Sequence, residues 1–575
     1  MNYMKKNIII ILAALSVLPG CLDVDIIDRV EKDKGFYKTE EHAVNALNAA
    51  YSTLTDFAYH KTNWPLILST YEDAMYSQSS AVPATVSNNT HSANSTPVVN
   101  FWPTLYKGIN NANEIIARVP DIPFTDEKDK SRIIAEAHFL RGLFHYDLMR
   151  LYGGANGIPV ITEPTTGLEN AYNPQQPKDK VYEQIIKDFE YAAGENEDGS
   201  TRLPKRKDSK YVVGRATNGA AHAFLAEVYL TIGRWQEAAD EADIVISSGQ
   251  YSLVEDYRNL WDVDQESVAQ TEHIFFIPFF RDKDALADAA LGSNIPHLFN
   301  PNGVSVGGKS VSGNPYGKGA GQHRVQKWFI KFFQNDTDNL GYSNPSADAG
   351  NTAIEPNPNL KFKDYRIETS FWRTYQLKNN TTLALGNVNT CYPGTNAEGT
   401  SNDNWGYVYK FIDSQGVNNR THENDMPRLR LADMYLIKAE ALNELGQYAE
   451  ACKAIDMVRE RARKADGTMR SWPKYISTDK EDNIGRTLTQ QEFRWLVFME
   501  RGLEFVGEQK RWFDLIRMKY DTNTLMYDYM KDTYIPSLPA ADVQKQCVMA
   551  ERKKYFPIPF NETTRNSGVK QNPGY

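Results

Sequence analysis

Gly233-Arg-Trp-Gln-Glu-Ala238 and Gly446-Gln-Tyr-Ala-Glu-Ala451 share one pattern: glycine, any residue, an aromatic, any residue, glutamate, alanine. Each follows an Ala- and Leu-rich helical stretch, 216–231 and 431–445, and each leads into a second one, 237–247 and 450–463. Glycine lets the chain reverse tightly, small alanines let two helices approach, and the aromatic ring plugs the junction. Two copies with identical internal spacing point to helix–turn–helix units of the tetratricopeptide kind. The fold class is therefore mainly α.

Outward from the motifs, further helices carry their own boundary signals. Thr39 is placed to cap a helix whose first turn holds Glu40 and Glu41, charges that suit that end. Ala43, Leu47, Ala50, Tyr51 and Leu54 then recur at helical spacing. Pro103 is expected to open a second helix with Leu105, Ile109, Ala112 and Ile116 inward, ended by Pro120. A third is expected over 131–152, with Ile134, Ala137, Phe144, Leu148 and Leu151 inward and Gly153-Gly154 as its stop. Thr489-Gln-Gln-Glu492 is a capping box for a helix carrying Trp495, Phe498 and Leu503.

The stretch between the two motifs differs. It holds Gly/Asn/Ser-rich runs at 300–321 and 335–359 and short apolar runs at 274–277 and 407–409 that read as strands. The sequence thus divides into a helical scaffold over about 36–250 and 425–520, a loop-rich insertion with a few short strands over about 251–424, and a tail over 521–575. Long irregular loops are often functional, which makes the insertion the place to look for a site.

The chain has 575 residues, with 64 basic against 73 acidic side chains and a net charge of −9. Mild acidity argues against a nucleic-acid partner, and 41% apolar residues supply a large core. No 18-residue apolar run exists to span a bilayer. Residues 1–20 nevertheless form an address: Lys5 and Lys6, an apolar run over 8–18, then Pro19, Gly20 and Cys21. Cysteine at this place resembles the lipobox of bacterial lipoproteins, which implies removal of 1–20, lipidation of Cys21 and a body, 21–575, tethered by its acyl chains alone. Of the other cysteines, Cys391, Cys452 and Cys547, no two form a C-x-x-C pair, so no metal site is assigned.

Several motifs fail their tests. Gly303-Val-Ser-Val-Gly-Gly-Lys-Ser310 matches a phosphate-binding loop in letters, but Asn and Pro flank it where a strand and a helix are required. His138 and His145 share a helical face and are expected to be packed and hydrogen-bonded, not ligands. No G-x-S-x-G or H-E-x-x-H occurs. No catalytic residue and no cofactor is assigned, and the expectation is a protein that is not an enzyme.

Four further stretches resemble the SusD/RagB family of outer-membrane nutrient-binding lipoproteins: Glu136-Ala-His-Phe-Leu-Arg-Gly-Leu-Phe-His-Tyr-Asp-Leu-Met-Arg-Leu-Tyr-Gly-Gly154 with Ile158-Pro159-Val160, the run over 425–444, Glu500-Arg-Gly-Leu-Glu-Phe-Val-Gly-Glu-Gln-Lys-Arg-Trp-Phe-Asp-Leu-Ile-Arg517, and Tyr555-Phe-Pro-Ile-Pro559 with Gln571-Asn-Pro-Gly-Tyr575. Arg511, Trp512 and Asp514 are expected to knit their helix pair to the tail. The resemblance implies four tetratricopeptide-like helix pairs with a loop-rich region packed on them. It also implies an oligosaccharide-binding lid that faces the cell exterior from the outer membrane and serves a SusC-type TonB-dependent barrel. Asp23, Asp25 and Asp28 resemble the acidic run associated with export to the outer face. An oligopeptide receptor of the same architecture is the alternative; a glycoside hydrolase and a scaffold for another protein's tail stand behind it.

Sugars present apolar C–H faces ringed by hydroxyls, so a glycan site needs exposed aromatic platforms flanked by charged or amide groups. Trp64, Tyr71, Asp73 and Tyr76, with His91 beyond, form one candidate cluster; the family resemblance implies ligand contacts from this region and from the insertion, where Arg281, His297 and Tyr316 are available. Trp372, Tyr392 and Trp405 make a second aromatic group, while Trp102 and Trp328 are assigned to packing. On this reading Trp64→Ala weakens binding and leaves stability within about 1 kcal/mol.

Overall fold

Both motif glycines lie in the left-handed region, Gly233 at φ 77° and Gly446 at φ 75°, where any side chain would crowd the neighbouring carbonyl. Ala238 and Ala451 are fully buried where the paired helices meet, and the rings of Trp235 and Tyr448 are half-buried at the junctions. The computed structural model describes residues 35–280 apart from 78–81, 155 and 168–169; residues 422–575 apart from 463–486 and 544–546; and between them 292–299, 305–306, 309–310, 323–334, 355–356, 364, 366–371, 375–376, 407–411 and 413.

The scaffold helices are α1 (Glu40–Ser52), α2 (Asn63–Leu68), α3 (Phe101–Arg118), α4 (Glu127–Tyr152), α5 (Lys178–Ala193), α6 (Asn218–Thr231), α7 (Trp235–Ser247), α8 (Leu431–Glu444), α9 (Tyr448–Arg461), α10 (Gln490–Phe505) and α11 (Arg511–Arg517). They stack in order as the pairs α1/α3, α4/α5, α6/α7 and α8/α9, each packing on the next, with α10 laid on α8. The fold is mainly helical, as expected. Thr39 caps α1 by accepting from the His42 N–H at 3.3 Å, and Thr489 and Glu492 form both halves of the capping box on α10. Helix α3 starts at Phe101, so Pro103 lies inside its first turn, where a missing N–H still costs no hydrogen bond. Helix α4 starts four residues before the expected Ser131, because Asp126 caps it. It runs between α3 and α5, so almost every residue from Phe139 to Tyr152 is buried, not one stripe of them. Phe139, Phe189, Phe224 and Phe275 meet at centroid distances of 5.0–5.9 Å and lock α4, α5 and α6 together.

Four strands position the insertion: β1 (Met75–Tyr76), β2 (His273–Ile277), β3 (Arg324–Val325) and β4 (Met426–Arg430). β2 and β4 pair antiparallel, with a register irregularity on each side of Leu429. Chain entering the insertion is thereby bonded to chain leaving it, and α8 follows β4 directly onto α7. The helical stack is continuous in space across the break in sequence. The run at 407–409 makes a single bridge, Val408 to Phe371, and not the expected strand. Ser305–Val306 pairs with Lys309–Ser310 as a hairpin within the phosphate-loop lookalike, and residues 311–322, where such a loop needs a helix, lie outside the described residues.

Candidate ligand-binding face

The four candidate residues of the N-terminal segment are core. Trp64 is 2% exposed, Tyr71 1%, and Asp73 and Tyr76 0%. Trp64, Tyr71 and Tyr76 are not the expected exposed sugar platforms and Asp73 is not an exposed carboxylate beside them; what covers each one explains why.

Trp64, on α2, packs edge-on against Tyr59 (5.5 Å) and Phe101 (6.0 Å) and beside Phe513 (5.8 Å). The Arg428 guanidinium sits 4.7 Å above its ring. Arg428 lies at the β4 irregularity, outside the paired register, and its fork grips Asp147 of α4 with two bonds of 2.9 Å. Tyr59 donates to the same carboxylate. Arg428 also donates to His60 Nε2 at 2.6 Å, while His60 Nδ1 donates to the Leu54 carbonyl at 3.1 Å. That pattern requires a neutral imidazole, and burial, then the Arg428 charge, hold its pKa well below the usual value.

Tyr71 is the docking point of the chain's end. Its hydroxyl donates to the Tyr555 carbonyl (3.1 Å) and lies 3.2 Å from His91 Nε2 and 3.3 Å from the Tyr575 hydroxyl. Trp512 and Phe556 close over its ring at 4.9 and 4.5 Å. Asp73 receives both arms of Arg511, at 2.8 and 2.9 Å. Of the expected knot between α11 and the tail, Trp512 delivers its part through the Lys553 carbonyl (3.3 Å). Arg511 turns back to Asp73, and Asp514 binds Arg501 and Arg517.

Tyr76 pairs with Arg324 across the β1–β3 ribbon, and the Arg324 guanidinium stands 5.3 Å from the Tyr407 ring. Burial raises the Tyr76 pKa well above the usual value, with Arg324 opposing. This seam is where the N-terminal segment meets the described part of the insertion. His297 is half-buried on a short helix, Ile295–Phe299. Arg281, Tyr316, Trp372, Tyr392, Trp405, Cys391 and Cys21 lie outside the described residues. Trp102 and Trp328 are buried, as assigned. His138 bonds Asp188 (2.8 Å) and His145 bonds the Arg141 carbonyl (3.1 Å), so both are packed and hydrogen-bonded.

A feature that sequence reasoning missed holds the insertion to the scaffold. Arg366, Lys410, Arg430, Arg459 and Arg461 interlock with Glu272, Asp364, Glu500, Glu504 and Glu508, all of them buried. Arg430 reaches Glu272 (2.8 Å), Glu504 (2.6 Å) and Glu508 (3.0 Å). Arg366 reaches Asp364 (2.6 Å), Glu500 (2.7 Å) and Glu504 (2.9 Å). Lys410 binds Glu508 at 2.8 Å. Burial pushes the Glu508 pKa up, but Arg430 and Lys410 overcome it and hold it at about 2. Burial, helped by the neighbouring Arg430 charge, takes Lys410 down to about 8, against the pull of Glu508. The signal was present in Glu500 and Glu504, four apart and so on one face of α10, with Glu508 in the turn just beyond its end.

Together these features define a helical-repeat protein whose insertion is fixed to the scaffold by buried ion pairs. A model described as the SusD family matches residues 271–575, and one described as "Starch-binding associating with outer membrane" matches residues 31–230. The chain belongs to the SusD family. A SusD-like protein of Formosa agariphila, P2, is 28% identical over the whole of both chains. The structure is similar to that of a SusD homologue from Bacteroides thetaiotaomicron, with a TM-score of 0.71, 24% identity and coverage of 95% of this chain and 98% of that one. It is also similar to a laminarin-binding SusD-like protein, with a TM-score of 0.67, 22% identity and coverage of 94% and 100%. No helix among the described residues is long and apolar enough to cross a membrane, and none of their His, Cys, Asp and Glu side chains gather in a group of three fit to hold a metal ion.

Proposed function

We propose that the chain is a non-enzymatic glycan-binding lipoprotein, anchored in the outer membrane through Cys21 and facing the exterior. It captures oligosaccharides and passes them to a SusC-type TonB-dependent barrel, over which it acts as a lid. The observation that carries this reading is end-to-end similarity to a family whose matching model is described as starch-binding and outer-membrane-associated, together with a laminarin-binding protein of the same fold. The glycan is assigned to the loop-rich insertion, with Arg281 and Tyr316 as contacts. Trp64, Tyr71, Asp73 and Tyr76 belong to the core and are not among the contacts.

Two ring contacts at ~0.5–1.5 kcal/mol and a few hydrogen bonds at ~1 kcal/mol total roughly 4–6 kcal/mol. That corresponds to dissociation constants from about millimolar to tens of micromolar. Weak binding suits release into a transporter, since proximity supplies effective concentration. Calorimetry with starch, laminarin and other glycan fragments beside oligopeptides tests the assignment, with reducing-sugar release followed in parallel. Glycan binding that falls ~2–10-fold in Tyr316→Ala is expected. Binding of peptides alone, or turnover of the polysaccharide, would overturn it.

A further inference from the structure

A cavity of about 840 Å³ opens on the helical scaffold, lined by α4, α5, α6, α10, α11 and the tail residues Leu525, Lys554 and Tyr555. None of its lining comes from the insertion. On its inner wall the charges are already matched. Arg150 lies 4.2 Å from the Tyr146 ring and 4.1 Å from the Phe513 ring and pairs with Asp147 and Glu227. Arg501 and Arg517 share Asp514, at 2.8 and 2.6 Å, and Arg517 also binds Glu440 at 2.6 Å.

Its mouth is different. Lys178, Asp179 and Lys187 make no ion pair among the described residues, and the hydroxyls of Tyr182 and Tyr555 have no hydrogen-bond partner there. Both tyrosine rings are half-buried, and the Lys178 ammonium stands 5.9 Å from the Tyr555 ring. Burial takes the Tyr182 pKa up to about 12, so its hydroxyl stays a donor at neutral pH. Lys178, Tyr182 and Ile186 follow at intervals of four along α5 and so share one face of it.

We propose that this cavity is a second carbohydrate site, which takes a short stretch of neutral glycan apart from the loop-rich face. Two ring faces meet the apolar side of a sugar, while isolated donors and an acceptor around them meet hydroxyls. The matched inner charges leave no one-signed field to select an anion or a cation. A peptide that binds by adding a strand would need a free sheet edge, whereas this wall is helical, with its backbone groups already bonded within the helices. The volume lies in the ordinary range for a small-ligand site. The inference rests on the glycan reading above and adds a consequence: one long polymer held at two places gains avidity without higher affinity at either.

The test uses the purified protein with maltoheptaose and laminariheptaose in calorimetry, and with starch and laminarin in affinity gels. Wild type is expected to bind two heptasaccharides per chain. Lys178→Ala combined with Tyr182→Ala is expected to bind one, and its retardation by polymer to weaken tenfold or more. Lys178→Ala alone, at an exposed position, gives an intermediate result and covers the case in which the double variant does not fold. One site in wild type that persists unchanged in the cavity variants overturns the proposal and leaves the loop-face reading standing. Binding lost in the cavity variants but kept in Arg281→Ala/Tyr316→Ala keeps the cavity and sinks the loop face. Absence of any glycan binding overturns both readings, as does a pentaalanine probe that occupies the cavity where sugars do not.

Discussion

Replacing Trp64 by alanine separates a core residue from a sugar platform more sharply than any other change. The side chain is 2% exposed, bounded by Tyr59, His60, Phe101 and Phe513, with the Arg428 guanidinium over its face. Truncating a buried tryptophan costs ~3–5 kcal/mol, and a desolvated cation–π contact contributes up to ~2 kcal/mol of that kind of loss. The two overlap, since one ring supplies both, so a loss of about 4 kcal/mol is expected, a large share of the ~5–15 kcal/mol that stabilises a typical domain. Urea unfolding followed by near-ultraviolet circular dichroism should show the midpoint moving down at constant slope. Trp64→Phe should fall between wild type and alanine. Glycan affinity, measured where each variant is folded, should change little. A loss below about 1 kcal/mol accompanied by weaker glycan binding would place Trp64 at the surface and refute the packing described for the whole N-terminal segment.

Arg430→Met leaves Glu272, Glu504 and Glu508 without their shared cation, so a loss of ~3–5 kcal/mol is expected in the same unfolding assay; a loss below about 1 kcal/mol would mean the network holds nothing. Gly446→Ala forces a Cβ into φ 75° and should cost ~1–2 kcal/mol, whereas an unchanged midpoint would show that the turn relaxes freely. Acid should destabilise the protein in two stages. His145 is held at about 4, and His91 and His273 at about 3, chiefly by burial. The unfolded chain therefore takes up protons first, from about pH 6.5 downward. Asp188 and Glu508 are held at about 2, where partner bonds outweigh burial; their depressed values stabilise the fold above about pH 4.5, and that contribution is lost as pH falls towards 2. Denaturant titrations at pH 7, 5 and 3 measure this, and equal stability at pH 7 and 5 would contradict the neutral histidines.

Local physics was legible and long-range cover was not. The Gly-x-aromatic motif, the Thr39 cap and the Thr489 capping box depend on residues within a few positions, and each stands where the sequence places it. Burial of Trp64, Tyr71, Asp73 and Tyr76 depends on Arg324, Arg428, Arg511, Trp512, Phe556 and Tyr575, several hundred residues further on. Nothing in a window of sequence around Tyr71 announces that the last residue of the chain will bond to it. The start of α4 was missed for a related reason: its first turn is highly charged and lacks the apolar periodicity that marks the rest, while the capping Asp126 alone fixes the end.

The ionic network bears on how one family scaffold can carry different ligand faces. Apolar packing of an insertion would tie its anchorage to the shape of every side chain at the junction. Here Arg366 and Lys410 of the insertion and Glu272 at its neck engage Arg430, Arg461, Glu500, Glu504 and Glu508 through directional forks. A mismatch would leave a buried charge without a partner, at a cost of several kcal/mol. One docking geometry is selected by residues that sit beneath the loops and not in them. That division explains why the signature runs at 425–444 and 500–517 mark the family but say nothing about the glycan.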